Sequence, residues 1–491
     1  MIARTIIVGG GTAGWMTAAA LTRALGSQHQ VTLIESDRIG TVGVGEATVP
    51  AIREFNSYLG IDEDAFLAAT RGTYKLGIEF VDWGGPSHRY FHPFGFLGPD
   101  MAGVDFHHVW LRHVADGGDR DLEAISPEAR AARAGRFART AGQAPVHHAF
   151  HFDAARYAAY LRTYAEGRGA TRIEGDIVAV DRDAATGAIA AIRLASGETI
   201  AGDLFVDCSG FRGLLIEEAL GAGYVDWSRW LPCDRAVAMP CAPVGEPLPY
   251  TRSTAREAGW QWRIPLQHRT GNGYVYASAF LGDDEAARLL AGRLDGAPLG
   301  EPRRLRFTAG HRRRPWHHNC VAIGLAGGFL EPLESTSIHL VQTAIIRLLA
   351  LFPHRAIDPR LVDRFNRDTV LEYEAVRDFV IAHYATATGP DTPFWAAVRA
   401  IVPPDSLAAR LEAFAATGAI LYDRGDLFGP TNWLAVLTGQ GRWPGDHHPI
   451  IAALPAATVA NSIAQLRRRA AAMAGAMPSH AAFIAQHGAM T

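Results

Sequence analysis

Lysine is almost absent from this chain of 491 residues. All 47 of its basic side chains except Lys75 are arginine. A buried ammonium can lose its proton and act as a nucleophile, whereas a guanidinium stays charged and planar. The sequence therefore marks Lys75 as a candidate catalytic amine, with an ordinary solvated surface lysine as the alternative.

Several other absences narrow the class of protein. The formal net charge is only -3 and 48% of the residues are apolar, so there is no basic excess that would indicate nucleic-acid binding. No segment reaches the roughly 18 uninterrupted apolar residues of a membrane span. The best candidate, residues 338–352, is interrupted by His339, Gln342 and Arg347. A globular protein without a membrane partner is expected.

Cysteine is also scarce, and the four cysteines show neither CxxC nor metal-ligand spacing. Near the N-terminus a short apolar run, residues 6–8, leads directly into glycines, which predicts no signal peptide. Unpaired thiols in a reducing cytoplasm are therefore expected. His147, His148 and His151 lack a carboxylate or cysteine to complete a ligand set, so no metal site is predicted.

The first fifty residues have the pattern of a dinucleotide-binding unit. Residues 5–8 read as a buried strand, residues 15–25 as a helix, and residues 31–34 as a second strand that ends at Glu35. In the glycine-rich segment that joins the first strand to the helix, Gly9 permits a tight bend and Gly11 lets the backbone approach a pyrophosphate. Gly14 lets the helix pack against the sheet. The helix N-terminus favours phosphate, and Glu35 is placed to bind a ribose hydroxyl. A glycine-rich turn that only packs is the alternative.

Two later segments favour FAD over NAD. Residues 202–210 read as a strand ending in an acid and a tight turn, and residues 319–328 read as a strand running into small residues. Their order resembles FAD-binding folds of the flavoprotein monooxygenase type. We therefore expect an α/β protein with a Rossmann-like FAD-binding fold and an inserted and C-terminal, mostly helical substrate region.

Four motifs together resemble the flavin-dependent halogenases of the tryptophan halogenase type. They are Gly43-Val44-Gly45-Glu46-Ala47-Thr48-Val49-Pro50, the lysine segment Gly72-Thr73-Tyr74-Lys75-Leu76-Gly77, Trp260-Gln261-Trp262-Arg263-Ile264-Pro265 and Glu331-Pro332-Leu333-Glu334-Ser335-Thr336-Ser337. The resemblance runs from the first strand to about Gly441. It implies a discontinuous FAD-binding module of residues 1–85, 146–215 and 300–345, and a substrate region of residues 86–145, 216–299 and 346–491.

The resemblance also assigns roles to residues. FAD contacts are expected at Gly9, Gly11, Thr12, Ala13, Gly14, Glu35, Gly45, Glu46, Ala47, Thr48, Ile177, Leu325 and Ile338. Residues 335–337 are good helix-capping residues, and a helix starting there suits a small anion; the resemblance implies halide at Thr336 and Ser337. Lys75 and Glu334 become the catalytic pair.

Two further groups complete the expected site. Trp260 and Trp262 alternate along a strand and therefore share one face; a core pair is the alternative to the family role, in which they shield the flavin together with Ile264 and Pro265. His92, Phe94 and Trp433 are the candidate substrate-binding residues, with ordinary packing as the alternative. Residues 416–432 contain a single tyrosine, Tyr422. They therefore lack the pair of tyrosines that binds free tryptophan in the tryptophan-specific members of the family.

The implied activity is FADH2-dependent halogenation. O2 and chloride or bromide form hypohalous acid at the flavin, and Lys75 relays it to an electron-rich arene, foremost an indole, with Glu334 assisting. A separate flavin reductase and a small aromatic substrate are the expected partners, a role in secondary metabolism is expected, and a homodimer is compatible with the sequence. The alternatives are a flavin-dependent aromatic monooxygenase and a non-catalytic FAD-binding protein.

Overall fold

A computed structural model of the chain describes residues 2–38, 45–142, 144–423 and 425–487. The strands, numbered β1 to β24 in chain order, are Arg4–Val8, Gln30–Glu35, Gly45–Ala47, Thr73–Lys75, Gly77–Val81, Arg89–Pro93, Thr140–Ala141, Ala144–Pro145, Ala149–Asp153, Thr171–Glu174, Ile177–Arg182, Ile189–Leu194, Thr199–Ala201, Leu204–Asp207, Tyr224–Asp226, Arg235–Ala238, Thr251–Arg256, Gly259–Pro265, Thr270–Tyr276, Arg303–Arg306, Gly310–Arg312, Trp316–His317, Cys320–Ala322 and Gly328–Phe329.

The α-helices, numbered α1 to α15, are Thr12–Leu25, Ala51–Leu59, Glu63–Thr70, Phe106–Ala115, Pro127–Arg133, Ala154–Glu166, Asp283–Ala291, Ser337–Ala350, Pro359–Thr386, Pro393–Arg399, Asp405–Thr417, Pro430–Gly439, Pro449–Ala452, Ala456–Ala476 and His480–His487. The chain forms two compact units. The first contains residues 1–71, 152–228 and 307–374, and the second contains residues 72–151, 229–306 and 375–491.

The first unit is built on a mainly parallel sheet with the strand order β10-β2-β1-β14-β23-β22. Ile6 of β1 lies between Thr32 of β2 and Phe205 of β14, and Phe205 in turn pairs with Cys320 of β23. Runs of Val, Ile and Leu suit such strands because both faces of a parallel sheet are covered. The two late segments therefore return to the first sheet, which confirms the expected order of the FAD-binding fold.

The second unit contains a sheet with the order β20-β16-β19-β18-β17-β5-β6, antiparallel except for the β17–β5 pair. The short strand β4 carries Lys75 and pairs antiparallel with β9, so that Thr73 lies opposite His151 and Lys75 lies opposite Ala149. Because side chains alternate along a strand, Thr73 and Lys75 point to one face and Tyr74 to the other.

The limits of the first unit differ from those expected for the FAD-binding module. Residues 72–85 belong to the second unit because β4 pairs with β9, while β5 pairs with β17 and β6. The functional assignment of each unit stays a prediction. The C-terminal part of the chain is mostly helical, as expected, and includes the alanine-rich helices α11 and α14. Among the described residues, none of the helices combines the length and the apolar character needed to cross a bilayer.

A buried carboxylate joins the end of β14 to the turn that follows it. The Asp207 side chain accepts hydrogen bonds from the backbone N–H groups of Ser209, Leu215 and Ile216 at 2.9, 2.7 and 2.8 Å. Asp207 is fully buried. These bonds explain why an acid ends this strand.

Replacing Asp207 by alanine is expected to lower the free energy of unfolding by about 3 kcal/mol or more, because three buried amides lose their acceptor. Asp207→Asn keeps one oxygen and should fall between the wild type and Asp207→Ala. Urea denaturation followed by circular dichroism measures both. The control Glu198→Ala, at an exposed position of the same unit, should stay within about 0.5 kcal/mol of wild type. Equal stability of Asp207→Ala and wild type would refute this role.

Glu128 in α5 is the second buried carboxyl that matters for the fold. It accepts a hydrogen bond from the backbone N–H of His147 at 3.1 Å, and a Cβ atom on Gly95 would lie 3.1 Å from its Oε1 atom. Burial raises the pKa of Glu128 to about 7, well above its usual range. The carboxyl thus supports the backbone beside Phe94.

A raised pKa in the folded state makes stability depend on pH. Between about pH 4.5 and 7 the unfolded chain releases this proton while the folded chain retains it, so the group destabilises the fold increasingly as pH rises through that window. Glu128→Gln cannot ionise and should therefore gain up to about 3 kcal/mol relative to wild type between pH 4 and pH 8. Urea titrations at pH 4 and pH 8 test this prediction. It would be contradicted if the difference in the free energy of unfolding between Glu128→Gln and wild type did not change with pH.

Candidate active site

The glycine-rich turn after β1 is shaped for close backbone approach. Gly9 has a φ of 111°, and a Cβ atom there would lie 2.3 Å from the Cys208 carbonyl oxygen. A Cβ atom on Gly14 would lie 1.9 Å from the carbonyl oxygen of Gly9, so α1 can pack against the turn only because residue 14 is glycine. The helix begins at Thr12, three residues earlier than the sequence indicated.

The same turn leaves room for an anion. A Cβ atom on Gly11 would meet no atom within 4 Å, and the first turn of α1 contains no acidic side chain. Open space beside the N–H groups of a helix N-terminus suits the pyrophosphate of a dinucleotide. The residues present therefore fit FAD.

Glu35 ends β2 beside this turn. Its carboxylate forms an ion pair with Arg172, and a Cβ atom on Gly10 would overlap the Glu35 side chain. The Glu35 side chain therefore requires glycine at position 10, a requirement that the sequence did not reveal. Ribose binding by Glu35 stays a prediction.

The other expected FAD contacts are spread over the first unit. Gly43 and Val44 lie outside the described residues, whereas Gly45, Glu46 and Ala47 form β3 and Thr48 follows as a buried residue. Burial raises the pKa of Glu46 to about 7. These positions stay predicted contacts.

The remaining expected FAD contacts lie on three different elements. Leu325 lies in a short turn of 3₁₀ helix, Gly324–Ala326, where a Cβ atom on Gly324 would lie 2.8 Å from that of Ala13. Ile338 is buried in the first turn of α8. Ile177 packs against an apolar core of the first unit, which gives this side chain a structural contact.

The segment before α8 departs from the expected helix cap. Thr336 is the N-cap residue, but its side chain makes no capping hydrogen bond, and Ser335 has the left-handed φ of 60°. The helix therefore starts within the predicted segment, but without a side-chain cap. The backbone bends at Ser335, and α8 starts only at Ser337.

This arrangement leaves polar groups available for a small anion. Thr336 is fully buried, and its hydroxyl has no hydrogen-bond partner among the residues that the structure describes. The first turn of α8 carries no acidic side chain. Glu334 is buried immediately before this bend. A buried hydroxyl and a helix N-terminus together can hold a halide ion.

Lys75 is fully buried, so the alternative of a solvated surface lysine is wrong. Its Nζ atom lies 5.2 Å from the centroid of the Phe94 ring. The face of an aromatic ring attracts a cation and offers it no hydrogen-bond acceptor that would compete with a reactant. Two of the predicted site residues are thus in contact within the second unit.

Trp260 and Trp262 of β18 share one face, as predicted. Their ring centroids are 6.1 Å apart, and both side chains are buried. Trp262 lies opposite Gly273 of β19, where a Cβ atom would come within 2.0 Å of the indole. Ile264 lies opposite Gly271 and is likewise buried, and Pro265 pairs with Thr270. Glycines on the neighbouring strand therefore make space for the bulky residues.

His92 and Trp433 belong to an aromatic cluster formed by His92, Phe379, Phe428 and Trp433. Phe379 stacks on Phe428 with centroids 3.9 Å apart, and it contacts Trp433 edge-on at 4.9 Å and His92 at 5.8 Å. Asn432 Nδ2 lies 2.8 Å from His92 Nε2. The sequence did not predict Phe379 and Phe428, because α9 and the loop before α12 carry no motif that marks them.

Among the described residues, no group of His, Cys, Asp and Glu side chains is arranged to hold a metal ion. His148 Nδ1 donates to the Val146 carbonyl at 2.8 Å, and His151 is held between Thr73 and Thr251. These histidines therefore have structural partners of their own.

Comparison with known proteins shows close relatives along the whole chain. The chain is 47% identical to a flavin-dependent halogenase from Xanthomonas campestris, with a TM-score of 0.97, covering 100% of this chain and 99% of the other. A flavin-dependent halogenase from Brevundimonas sp. BAL3 is 45% identical, with a TM-score of 0.94 and 99% coverage of both chains. A tryptophan 6-halogenase from Streptomyces toxytricini is 36% identical over 99% of this chain and 98% of its own.

The family model for tryptophan halogenases matches residues 4–456. Flavin-dependent halogenases use FAD and a halide, and they generally need a separate flavin reductase. With the glycine turn, the buried lysine and the paired tryptophans in place, the chain belongs to the tryptophan halogenase family and is a flavin-dependent halogenase.

Proposed function

We propose that this enzyme halogenates an indole, that Lys75 delivers the halogen, and that Glu334 assists at the arene. One observation carries the proposal: the single lysine of the chain is fully buried, with its Nζ atom 5.2 Å from the Phe94 ring centroid. Burying an ammonium costs free energy. A lysine kept there in a chain that otherwise uses arginine is best explained by the chemistry of its amine.

Reduced FAD, when bound, would supply two electrons and two protons, so that O2, a halide ion and one further proton yield hypohalous acid and one molecule of water. The turn of Gly9, Gly11 and Gly14 would hold its pyrophosphate, with Glu35 at the ribose. Thr12, Ala13, Gly45 to Thr48, Ile177, Leu325 and Ile338 are the further proposed contacts. A separate reductase provides the reduced flavin, and its identity is left to experiment.

The start of α8 is the proposed halide site. The Thr336 hydroxyl and the backbone N–H of Ser337 can both donate to the ion, and the positive end of the helix dipole favours its charge. The absence of acidic residues from the first turn supports this assignment. Chloride and bromide both fit this donor set.

Lys75 then presents hypohalous acid to the arene. Its amine either donates a hydrogen bond to the acid or is halogenated at Nζ with release of water. In both cases the arene carbon forms a bond to the halogen while the oxygen–halogen or nitrogen–halogen bond breaks. The leaving oxygen takes up a proton and departs as water, or the leaving nitrogen takes up a proton and becomes the Lys75 amine again, and the ring loses one proton. Glu334 accepts that proton and stabilises the cationic ring before its loss.

Trp260 and Trp262 with Ile264 and Pro265 are proposed to keep the organic substrate away from the flavin, so that halide is the nearest nucleophile. His92, Phe94 and Trp433 are proposed to bind the indole by stacking, which contributes about 0.5–1.5 kcal/mol for each ring. Phe379 and Phe428 extend this surface. Tyr422 is 42% exposed, so it is poorly placed to bind the amino-acid backbone of free tryptophan. This favours an indole substrate without that backbone.

Lys75 variants test the proposed activity directly. With reduced FAD, each halide and a panel of indoles, mass spectrometry should show halogenated product for wild type and none for Lys75→Ala or Lys75→Met. Lys75→Arg should also lose product, because a guanidinium keeps its charge. Oxidation of reduced flavin should continue in all three variants. Undiminished halogenation by Lys75→Arg would exclude the amine role, and a hydroxylated product would indicate monooxygenase chemistry.

Thr336 variants test the halide site. Thr336→Val should raise the KM for halide about tenfold, because a hydrogen bond to an ion contributes about 1.5–3 kcal/mol. Thr336→Ser keeps the hydroxyl and should behave as wild type. The free energy of unfolding of Thr336→Val should not fall, since the hydroxyl lacks a partner among the described residues. An unchanged halide KM in Thr336→Val would place the ion elsewhere.

A further inference from the structure

A chain of buried hydrogen bonds runs through the strand that carries Lys75. The Thr73 hydroxyl donates to the Pro265 carbonyl at 2.7 Å, and it lies 2.9 Å from His151 Nδ1. The other ring nitrogen of His151 lies 2.9 Å from the Thr251 hydroxyl. Thr73 and His151 are fully buried, and Thr251 is buried as well. These hydrogen bonds connect β4, β9, β17 and β18.

The direction of these bonds fixes the tautomer of His151. The only proton of the Thr73 hydroxyl is used on the Pro265 carbonyl, so this oxygen can only accept from His151. Nδ1 therefore carries the proton, and in the neutral ring Nε2 accepts from the Thr251 hydroxyl. Burial, together with the charge of Lys75 and the nearby His480, holds the pKa of His151 well below its usual range.

A second histidine holds the same strand through its backbone. The N–H of Tyr74 donates to His480 Nε2 at 3.1 Å, while His480 Nδ1 lies 2.8 Å from the Pro247 carbonyl. A carbonyl can only accept and a backbone N–H can only donate. His480 must therefore be the neutral Nδ1–H tautomer, and burial lowers its pKa to about 4.

The backbone on either side of β4 is fixed too. The N–H of Leu76 donates to the Pro249 carbonyl at 2.8 Å, and the Gln267 side-chain amide donates to the Gly72 carbonyl at 2.7 Å. Arg139 donates to the Tyr74 hydroxyl at 2.7 Å, on the face opposite Lys75. Gly72, Thr73, Tyr74 and Leu76 are thus each held by a hydrogen bond to a segment outside β4.

We propose that His151 and His480 are positioning residues for Lys75: two neutral imidazoles that hold its strand from the side chain of Thr73 and from the backbone of Tyr74 without adding a second positive charge. This inference rests on the proposed role of Lys75. His480 lies beyond residue 456, where the family match ends. The C-terminal segment of this chain therefore supplies part of the support for its lysine.

These supports of β4 should determine how much of the flavin oxidation leads to halogenated product. A displacement of about 1 Å at a catalytic group can cost about 100-fold in rate. When β4 loses its supports, the lysine should fail to capture hypohalous acid, which then escapes into solution. The KM for halide should stay constant, because the support lies in the second unit and Thr336 lies in the first.

The test compares matched pairs of variants in the full chain. With reduced FAD, bromide and indole, we expect Thr73→Val to lower product per oxidised flavin about tenfold and to raise hypobromous acid trapped by a β-diketone. Thr73→Ser retains the hydroxyl and should stay within about twofold of wild type. His480→Leu should uncouple the reaction in the same way, and His480→Gln, which can still accept from Tyr74, should restore coupling. Circular dichroism selects a temperature at which all variants are folded.

A second measurement does not depend on activity. In protein labelled with ¹⁵N-histidine, the resonances lost in His151→Gln and in His480→Gln identify the two rings. Each should show one protonated and one unprotonated nitrogen throughout pH 6 to 8. An imidazolium at either position in that range would overturn the proposal, as would full coupling in both Thr73→Val and His480→Leu. Retained halogenation by Lys75→Ala would instead refute the proposed function and leave the tautomers unaffected.

Discussion

The burial of the Lys75 side chain is the constraint on which its part of the second unit depends. An ion removed from water is costly unless its surroundings stabilise it. Here the Phe94 ring supplies a favourable electrostatic face, and the histidine beside the strand is neutral. The ring contact thus offsets part of the cost of burying this side chain.

Glu79, in the strand that follows Lys75, is a buried charged group that is stabilised by ion pairs and not by an aromatic ring. Burial alone would raise the pKa of Glu79, but Arg252 and Arg133 outweigh it and hold the pKa below its usual value. Arg252 Nε donates to this carboxylate at 2.6 Å, and Arg89 lies 3.3 Å from it. Guanidinium groups suit this permanent ionic cluster because they stay charged. The cations that hold Glu79 are thus arginines, whereas Lys75 lies against an aromatic ring and near a histidine whose pKa is lowered.

The sequence predicted those parts of the fold and site that depend on local pattern. The turn from Gly9 to Gly14 and the alternation of Trp260 and Trp262 each encode their geometry within a few residues, and the structure has both. Contacts between distant segments were not predictable in this way. Phe379 reaches His92 across nearly 290 positions of the chain (379 − 92 = 287), and His480 meets Tyr74 across 406. A side-chain cap at Thr336 is absent, and Ser335 before it has a left-handed φ of 60°, a backbone feature that the capping pattern does not encode.

One long-range signal was nevertheless present in the sequence. The segment Thr270-Gly271-Asn272-Gly273 alternates glycine with polar residues, a pattern that weakens a strand unless a neighbour needs the space. In the sheet these glycines lie opposite Ile264 and Trp262, and a Cβ atom at Gly273 would collide with the indole. Since paired positions on antiparallel strands share a face, bulky residues at two-residue spacing require small ones at the same spacing on the adjacent strand. The glycines of β19 are therefore the steric counterpart of the tryptophan motif of β18.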